Sequence, residues 1–251
     1  MCSAPNDRSQ RNAAVHALQL RAWSHAATLR LARITADREA AYNTASSILM
    51  EFGRRAVIGT AWHVLEEYVR LRSRGEEVYI ICDNMPITEP RIVWCDEEND
   101  IALLEVPETD RSGLETVPYR PGVRLWPPPA VRAGDSVLLC GFPKLLRADS
   151  DEILHGDLNF LVEVESESES YFMLQIEINR LVQAGRVTIP DGVTDFGGVS
   201  GGPVFLADSG GNPLVGLVSQ AGETLPLWRI ASLANAPADI EARPSIPVWD
   251  A

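Results

Sequence analysis

One serine stands among four glycines in Phe196-Gly197-Gly198-Val199-Ser200-Gly201-Gly202-Pro203, and an apolar run, Val204-Phe205-Leu206, follows at once. Glycine is favoured where the backbone takes unusual angles or must let another molecule approach closely. Both needs arise when a serine is held on an exposed turn with its own N–H aimed at a substrate oxygen. The plainer reading is a flexible loop, but such loops seldom run straight into a buried strand opened by proline. Ser200 is therefore a candidate nucleophile, and a serine nucleophile needs a base.

The chain has four histidines, His16, His25, His63 and His155, and all precede Ser200. That order excludes the nucleophile-elbow reading of G-x-S-x-G, which requires the acid and then the histidine after the serine. His63 ends the apolar run Ala56-Val57-Ile58-Gly59-Thr60-Ala61-Trp62 and enters a short helix. A strand end is a rigid mount for a base that must stay within hydrogen-bond reach. His16 and His25 fall in an N-terminal helical pattern and His155 in a polar loop, which makes them weaker candidates.

Ten aspartates lie between His63 and Ser200, but only Asp100 directly precedes a wholly apolar run, Ile101-Ala102-Leu103-Leu104. A carboxylate at the head of a buried strand is costly unless hydrogen-bonded, and an imidazole N–H would satisfy it. Asp96 is the runner-up, though polar Glu97-Glu98-Asn99 follows it.

The elements that must position these groups read as short strands. Apolar runs at 46–52, 55–60, 78–82, 91–95, 101–106, 136–142, 158–164, 171–178, 203–206 and 214–219 are separated by Gly, Pro and Asp. That texture predicts an all-β fold. Trp126-Pro127-Pro128-Pro129 is a stiff connector that cannot enter a sheet interior, and it divides two β subdomains. Residues 11–26 read as an amphipathic helix, while 27–34 fit either its continuation or a first strand. The acidic run Glu163–Glu169 reads as a solvated strand edge or loop, and a short Ala- and Leu-containing helix is expected after Arg229.

The net charge of −13 opposes nucleic acid and anionic membrane surfaces as partners. No apolar run approaches the length of a membrane helix, and the first residues lack a secretory pattern. The four cysteines are scattered without a C-x-x-C pair, which favours free thiols, a reducing cytoplasmic setting and no structural zinc.

Taken in order, Gly59-Thr60-Ala61-Trp62-His63-Val64, Asn99-Asp100-Ile101-Ala102-Leu103-Leu104 and Gly198-Val199-Ser200-Gly201-Gly202-Pro203 resemble the trypsin-like, chymotrypsin-fold serine peptidases. Intracellular bacterial members with a trypsin-like peptidase domain are the nearest likeness, which covers about residues 45–236. The resemblance implies two antiparallel six-stranded β-barrels with the site between them: residues 45–126 carrying His63 and Asp100, and residues 130–236 carrying Ser200. Outside that likeness, a helical extension without family counterpart (1–44) is expected before the barrels, and a C-terminal tail (237–251) after the short helix that follows Arg229. The resemblance implies His63 as base, Asp100 as acid and Ser200 as nucleophile, with the N–H groups of Gly198 and Ser200 as oxyanion hole. Thr194, Ser219, Gln220 and Ala221 would line the substrate pocket, with Ser219 also bonded to the acid.

Three residues depart from the family pattern. Trp62 stands where a small residue is usual, Val199 where animal zymogens carry aspartate, and Thr194 where trypsin carries an acid. Small or apolar side chains are thus expected in the primary pocket, unless Glu223 folds back into it. The expected activity is serine endopeptidase action on protein or peptide substrates through an acyl-enzyme, without metal or cofactor. A regulatory partner would act through residues 1–44. The alternative is a catalytically silent fold that binds peptides or serves as a scaffold, and an esterase using the same residues is a third reading.

Overall fold

Several strands of this chain are apolar on both faces, and the fold explains why. In the computed structural model, which describes residues 17, 19–22, 24–34, 40–122, 125–143, 158–176, 196–207, 212–221 and 227–248, two antiparallel sheets share a buried seam. The first sheet contains β1 (Ala26–Ile34), β2 (Ala40–Phe52), β3 (Arg55–Thr60), β4 (Val78–Cys82), β5 (Met85–Pro86), β6 (Arg91–Asp96) and β7 (Ile101–Val106). The second contains β8 (Ser136–Gly141), β9 (Leu158–Glu167), β10 (Tyr171–Gln175), β11 (Pro203–Leu206), β12 (Leu214–Gln220) and β13 (Leu227–Ser232). The first sheet also takes in a final strand, β14 (Ile246–Pro247).

The second sheet closes as a barrel in the order β10-β13-β12-β11-β8-β9. The first is a curled open sheet of eight strands, β14-β6-β7-β3-β2-β1-β4-β5, and not a closed six-stranded barrel. Both of its edges are two-residue strands that end in proline, Pro86 and Pro247. Proline has no N–H to offer a further strand, so pairing stops there.

Alternation along β7 sends Ala102, Leu104 and Val106 into a core shared with helix α1 (Trp62–Ser73), while Ile101 and Leu103 enter the seam between the sheets. From the other side, Leu138 and Cys140 of β8 reach the same seam, and Val137 and Leu139 turn into the barrel interior. Strands buried on both faces read as continuous apolar runs, which is why 101–106 and 136–141 stood out in the sequence. Each strand's two-residue period decides which core its side chains join.

Two flanking expectations need correction. The helical extension over 1–44 does not hold across its described part. Residues 19–22 are helical, but β1 pairs with β2 from Ala26↔Ile48 to Ile34↔Ala40, so the first sheet begins at Ala26. The apolar spacing of Leu29 and Leu31, both buried, has period two and wins over continuation of the helix. The short helix expected after Arg229 is also absent: Leu227–Ser232 is β13, which closes the barrel against β10 and β12, and turns follow it. Nor does the C-terminal segment trail free, since Ile246 pairs with Ile92. The connector between the sheets falls around Trp126–Pro129, where Trp126 Nε1 donates to Pro237 O at 2.9 Å. No described helix is long and apolar enough to cross a membrane.

Candidate active site

His63 is the second residue of α1, directly after β3. The first amides of a helix have no partner within it, and the residue preceding α1, Ala61, has no side chain to cap them. Asp100 does so from another element: its Oδ1 accepts from the His63 backbone N–H at 2.8 Å. The same carboxylate lies 2.9 Å and 3.1 Å from the imidazole Nδ1 through Oδ2 and Oδ1. One carboxylate therefore fixes the backbone and the ring of the same histidine, leaving Nε2 as the proton acceptor.

Asp100 is held in turn. It closes the turn between β6 and β7 at a positive φ of 62°, a region in which aspartate is tolerated better than most residues. Asp96, the competing acid, is occupied within that turn: it accepts from Asn99 N at 3.1 Å and Asn99 Nδ2 at 2.8 Å. Ser219, near the end of β12 in the other sheet, donates to Asp100 Oδ2 at 3.0 Å. The Asp100 side chain is 17% exposed against 48% for His63, so the acid is sheltered and the base open to substrate. The hydrogen bond that the imidazole donates to Asp100 raises the His63 pKa above its ordinary 6.5 despite partial burial, with smaller contributions from the charges of Asp100 and Glu66.

The serine loop is organised by its backbone. Val199 N donates to Phe196 O (3.2 Å), Gly202 N to Val199 O (2.8 Å) and Gly201 N to Val218 O (2.7 Å). Among the described residues, the N–H groups of Gly198 and Ser200 donate to none. These are the two donors expected for an oxyanion hole, and the loop's other bonds are arranged around them. Gly198 and Gly201 adopt φ of 96° and 82°, and a Cβ on Gly201 would sit 2.2 Å from Ser46 O. Both positions therefore need glycine.

His63, Gly197 and Gly198 line one cleft of about 300 Å³, together with Thr44, Ala45 and Glu67. Among the described residues Ser200 Oγ has no hydrogen-bond partner, His63 included. Such contacts commonly tighten only when substrate closes the site.

The other candidates separate cleanly. His25 is remote: its Nδ1 lies 2.8 Å from Val117 O, its ring meets Tyr119 edge-on, and burial lowers its pKa. Trp62 is half-buried against the first core. Gln220 is exposed at the end of β12, and Ala221 packs against the barrel core. Thr194, Glu223, His16 and His155 lie outside the described residues. Sequence reasoning missed Ser46 and Thr60, both fully buried hydroxyls at the seam. The signal was a polar pair, Ser46-Ser47, directly before the apolar run Ile48-Leu49-Met50.

The family model described as the trypsin-like peptidase domain matches residues 45–217. The chain belongs to that family. Among solved structures, this trypsin-like peptidase domain is similar to a serine endoprotease from Yersinia pestis, with a TM-score of 0.52 and 16% identity over 93% of this chain. The chain spans 65% of that protein's length. It is also similar to the thermostable serine protease AL20 from an extremophilic microorganism, with a TM-score of 0.50, 13% identity, and coverage of 84% of this chain and 92% of that one. At such identities the likeness is one of fold. No curated protein matches the sequence.

Proposed function

We propose that this trypsin-like peptidase domain is a serine endopeptidase that cleaves protein or peptide substrates through an acyl-enzyme. The observation that carries the reading is Asp100, whose carboxylate joins His63 Nδ1 at 2.9 Å and Ser219 Oγ at 3.0 Å across the two sheets. A carboxylate spent on orienting an exposed imidazole serves proton transfer better than it serves stability.

Ser200 Oγ attacks the scissile carbonyl and His63 Nε2 takes its proton. The oxyanion forms against the N–H groups of Gly198 and Ser200. His63 then returns the proton to the leaving amine, and water hydrolyses the acyl-enzyme by the same steps in reverse order. No step calls for a metal or a cofactor. Small or apolar side chains suit the primary pocket: Ala221 packs against the core that holds Phe196, Val199, Val218 and Trp228.

The test is a fluorophosphonate probe read by intact mass, together with digestion of a peptide library. Stoichiometric labelling that maps to Ser200 and disappears in Ser200→Ala supports the reading, and so does turnover of internal peptide bonds. An unlabelled, inert protein that still binds peptides would replace it with a non-catalytic peptide-binding role. Hydrolysis of esters without peptides would make it an esterase.

A further inference from the structure

A single buried serine of the first sheet holds both residues proposed for the oxyanion hole, and we infer that Ser46 is a positioning residue that keeps this loop in its donor-exposed arrangement. The inference rests on the peptidase reading for its catalytic consequence but not for its structural one.

Ser46 lies on β2 and is fully buried. Its hydroxyl donates to Gly198 O at 2.8 Å and accepts from Phe142 N at 2.8 Å. Its own N–H donates to Ser200 O at 2.8 Å. Its carbonyl accepts from Thr60 Oγ1 at 3.0 Å, three residues before His63. A hydroxyl has one proton to give. Phe142 N–H can only donate, so the Ser46 proton is directed to Gly198 O, and the Gly198–Val199 peptide is pinned by its carbonyl.

The partner bond on the far side of that peptide is Val199 N to Phe196 O. Turning the peptide over would break both bonds and leave the fully buried Ser46 hydroxyl without its acceptor. The carbonyls of Gly198 and Ser200 are thus tied to one strand residue. Between them the carbonyl of Val199 is tied to Gly202 N, and among the described residues the N–H groups of Gly198 and Ser200 donate to none. The loop belongs to the second sheet and its anchor to the first, so docking of the two sheets and assembly of the oxyanion donors become the same event.

The test compares the full-length wild type with Ser46→Ala, Ser46→Thr and Ser47→Ala. Ser47 is the matched control: its hydroxyl is equally buried but donates to Ala27 O at 3.1 Å, away from the loop. In Ser46→Ala, kcat and the fluorophosphonate labelling rate should fall by about tenfold to a hundredfold. KM should stay within about twofold, and amide exchange in peptides covering 196–203 should accelerate. Ser46→Thr, which keeps the hydroxyl, should recover most of the rate, and Ser47→Ala should leave kcat unchanged. Should Ser46→Ala fail to fold, Ser46→Cys, close in size but a weaker donor, takes its place with the same expectations.

Wild-type kcat in Ser46→Ala, or unchanged exchange over 196–203, overturns the inference. So does an equal loss in Ser47→Ala, which would reduce Ser46 to a stability effect. If the wild type itself neither labels nor turns over while Ser46→Ala still loosens 196–203, the peptidase reading falls and the clamp stands.

Discussion

The two halves of the site are held by different means. On the first sheet, His63 and Asp100 are joined directly, side chain to side chain and side chain to backbone, at the ends of neighbouring strands β3 and β7. On the second, the Ser200 loop is held by main-chain bonds and by an anchor that reaches in from the opposite sheet. The base and acid therefore depend on one sheet's internal register, and Ser219 adds a brace from the other. The nucleophile and its amides depend on how the two sheets dock. Damage to the first half should appear as faulty proton transfer, and damage to the second as faulty carbonyl activation.

The largest effects should come from removing the reacting groups. Ser200→Ala and His63→Ala are each expected to lower kcat by about 10⁶, with the double variant hardly worse, because the groups act as a unit. Steady-state assays with an internally quenched peptide would measure this, and additive losses would contradict it. Next in size is Asp100→Asn, expected to cost about 10⁴ through the wrong imidazole tautomer. Asp96→Asn should be mild for activity, since among the described residues that side chain bonds to Asn99 within its own turn. The reverse ranking would move the acid to Asp96.

Ser219→Ala tests the brace between the halves. It removes one neutral donor from a carboxylate, so a loss of about tenfold is expected. A loss as large as that of Asp100→Asn would mean that the brace, and not the register of β3 and β7, sets the imidazole.

A smaller effect concerns pH. His63 must be neutral to act as base, and its pKa is raised by Asp100. Activity should therefore fall, as pH is lowered, at a value above 6.5, the ordinary histidine pKa. In Asp100→Asn that limb should move to lower pH. The stability contribution has the opposite sense: the protonated pair favours the folded state fully below the unfolded histidine pKa. That contribution disappears as pH rises through the raised folded value. The difference in Tm between wild type and His63→Gln should accordingly shrink towards alkaline pH. A limb below 6.5 in the wild type would refute the coupling.

The smallest expected effect is none at all. Val199, fully buried in the barrel core, carries no charge to receive a newly made terminal amine, and an unpaired ammonium there would be strongly disfavoured. A cut ahead of Ala26, where the first sheet begins, should thus not raise probe labelling. Control would then act on the loop itself, through a partner or the segment before the first sheet. Labelling that appears only after such a cut, with the new terminus buried, would establish a zymogen mechanism instead.

Much of this protein was readable from the sequence because its chemistry sits at element ends. Ser200 is announced by glycines that only a constrained turn requires, Asp100 by the apolar strand it heads, and His63 by the strand it terminates. The strand runs 55–60, 101–106 and 203–206 carried their own boundaries, because burial on two faces leaves an uninterrupted apolar signature, and 78–82 is as apolar although its Tyr79 faces solvent. β1 could not be assigned so simply. Its run Ala26–Ile34 contains arginines, and Arg30 is buried through hydrogen bonds to the Asp83 carbonyl and, at 3.0 Å, to Asn84 Oδ1. Those partners are more than fifty residues away, beyond the reach of local pattern. β13 was hidden for a similar reason, because only pairing with β10 and β12 decides between strand and helix for a short apolar segment. Residue types and their order determined which groups can react. Tertiary structure alone decided what orients them: that Asp100 caps the helix carrying His63, that Ser219 braces Asp100 from the other sheet, and that Ser46 ties down the Ser200 loop. Each of these is a hydrogen bond between residues far apart in the chain, whose geometry exists only once the two sheets have packed.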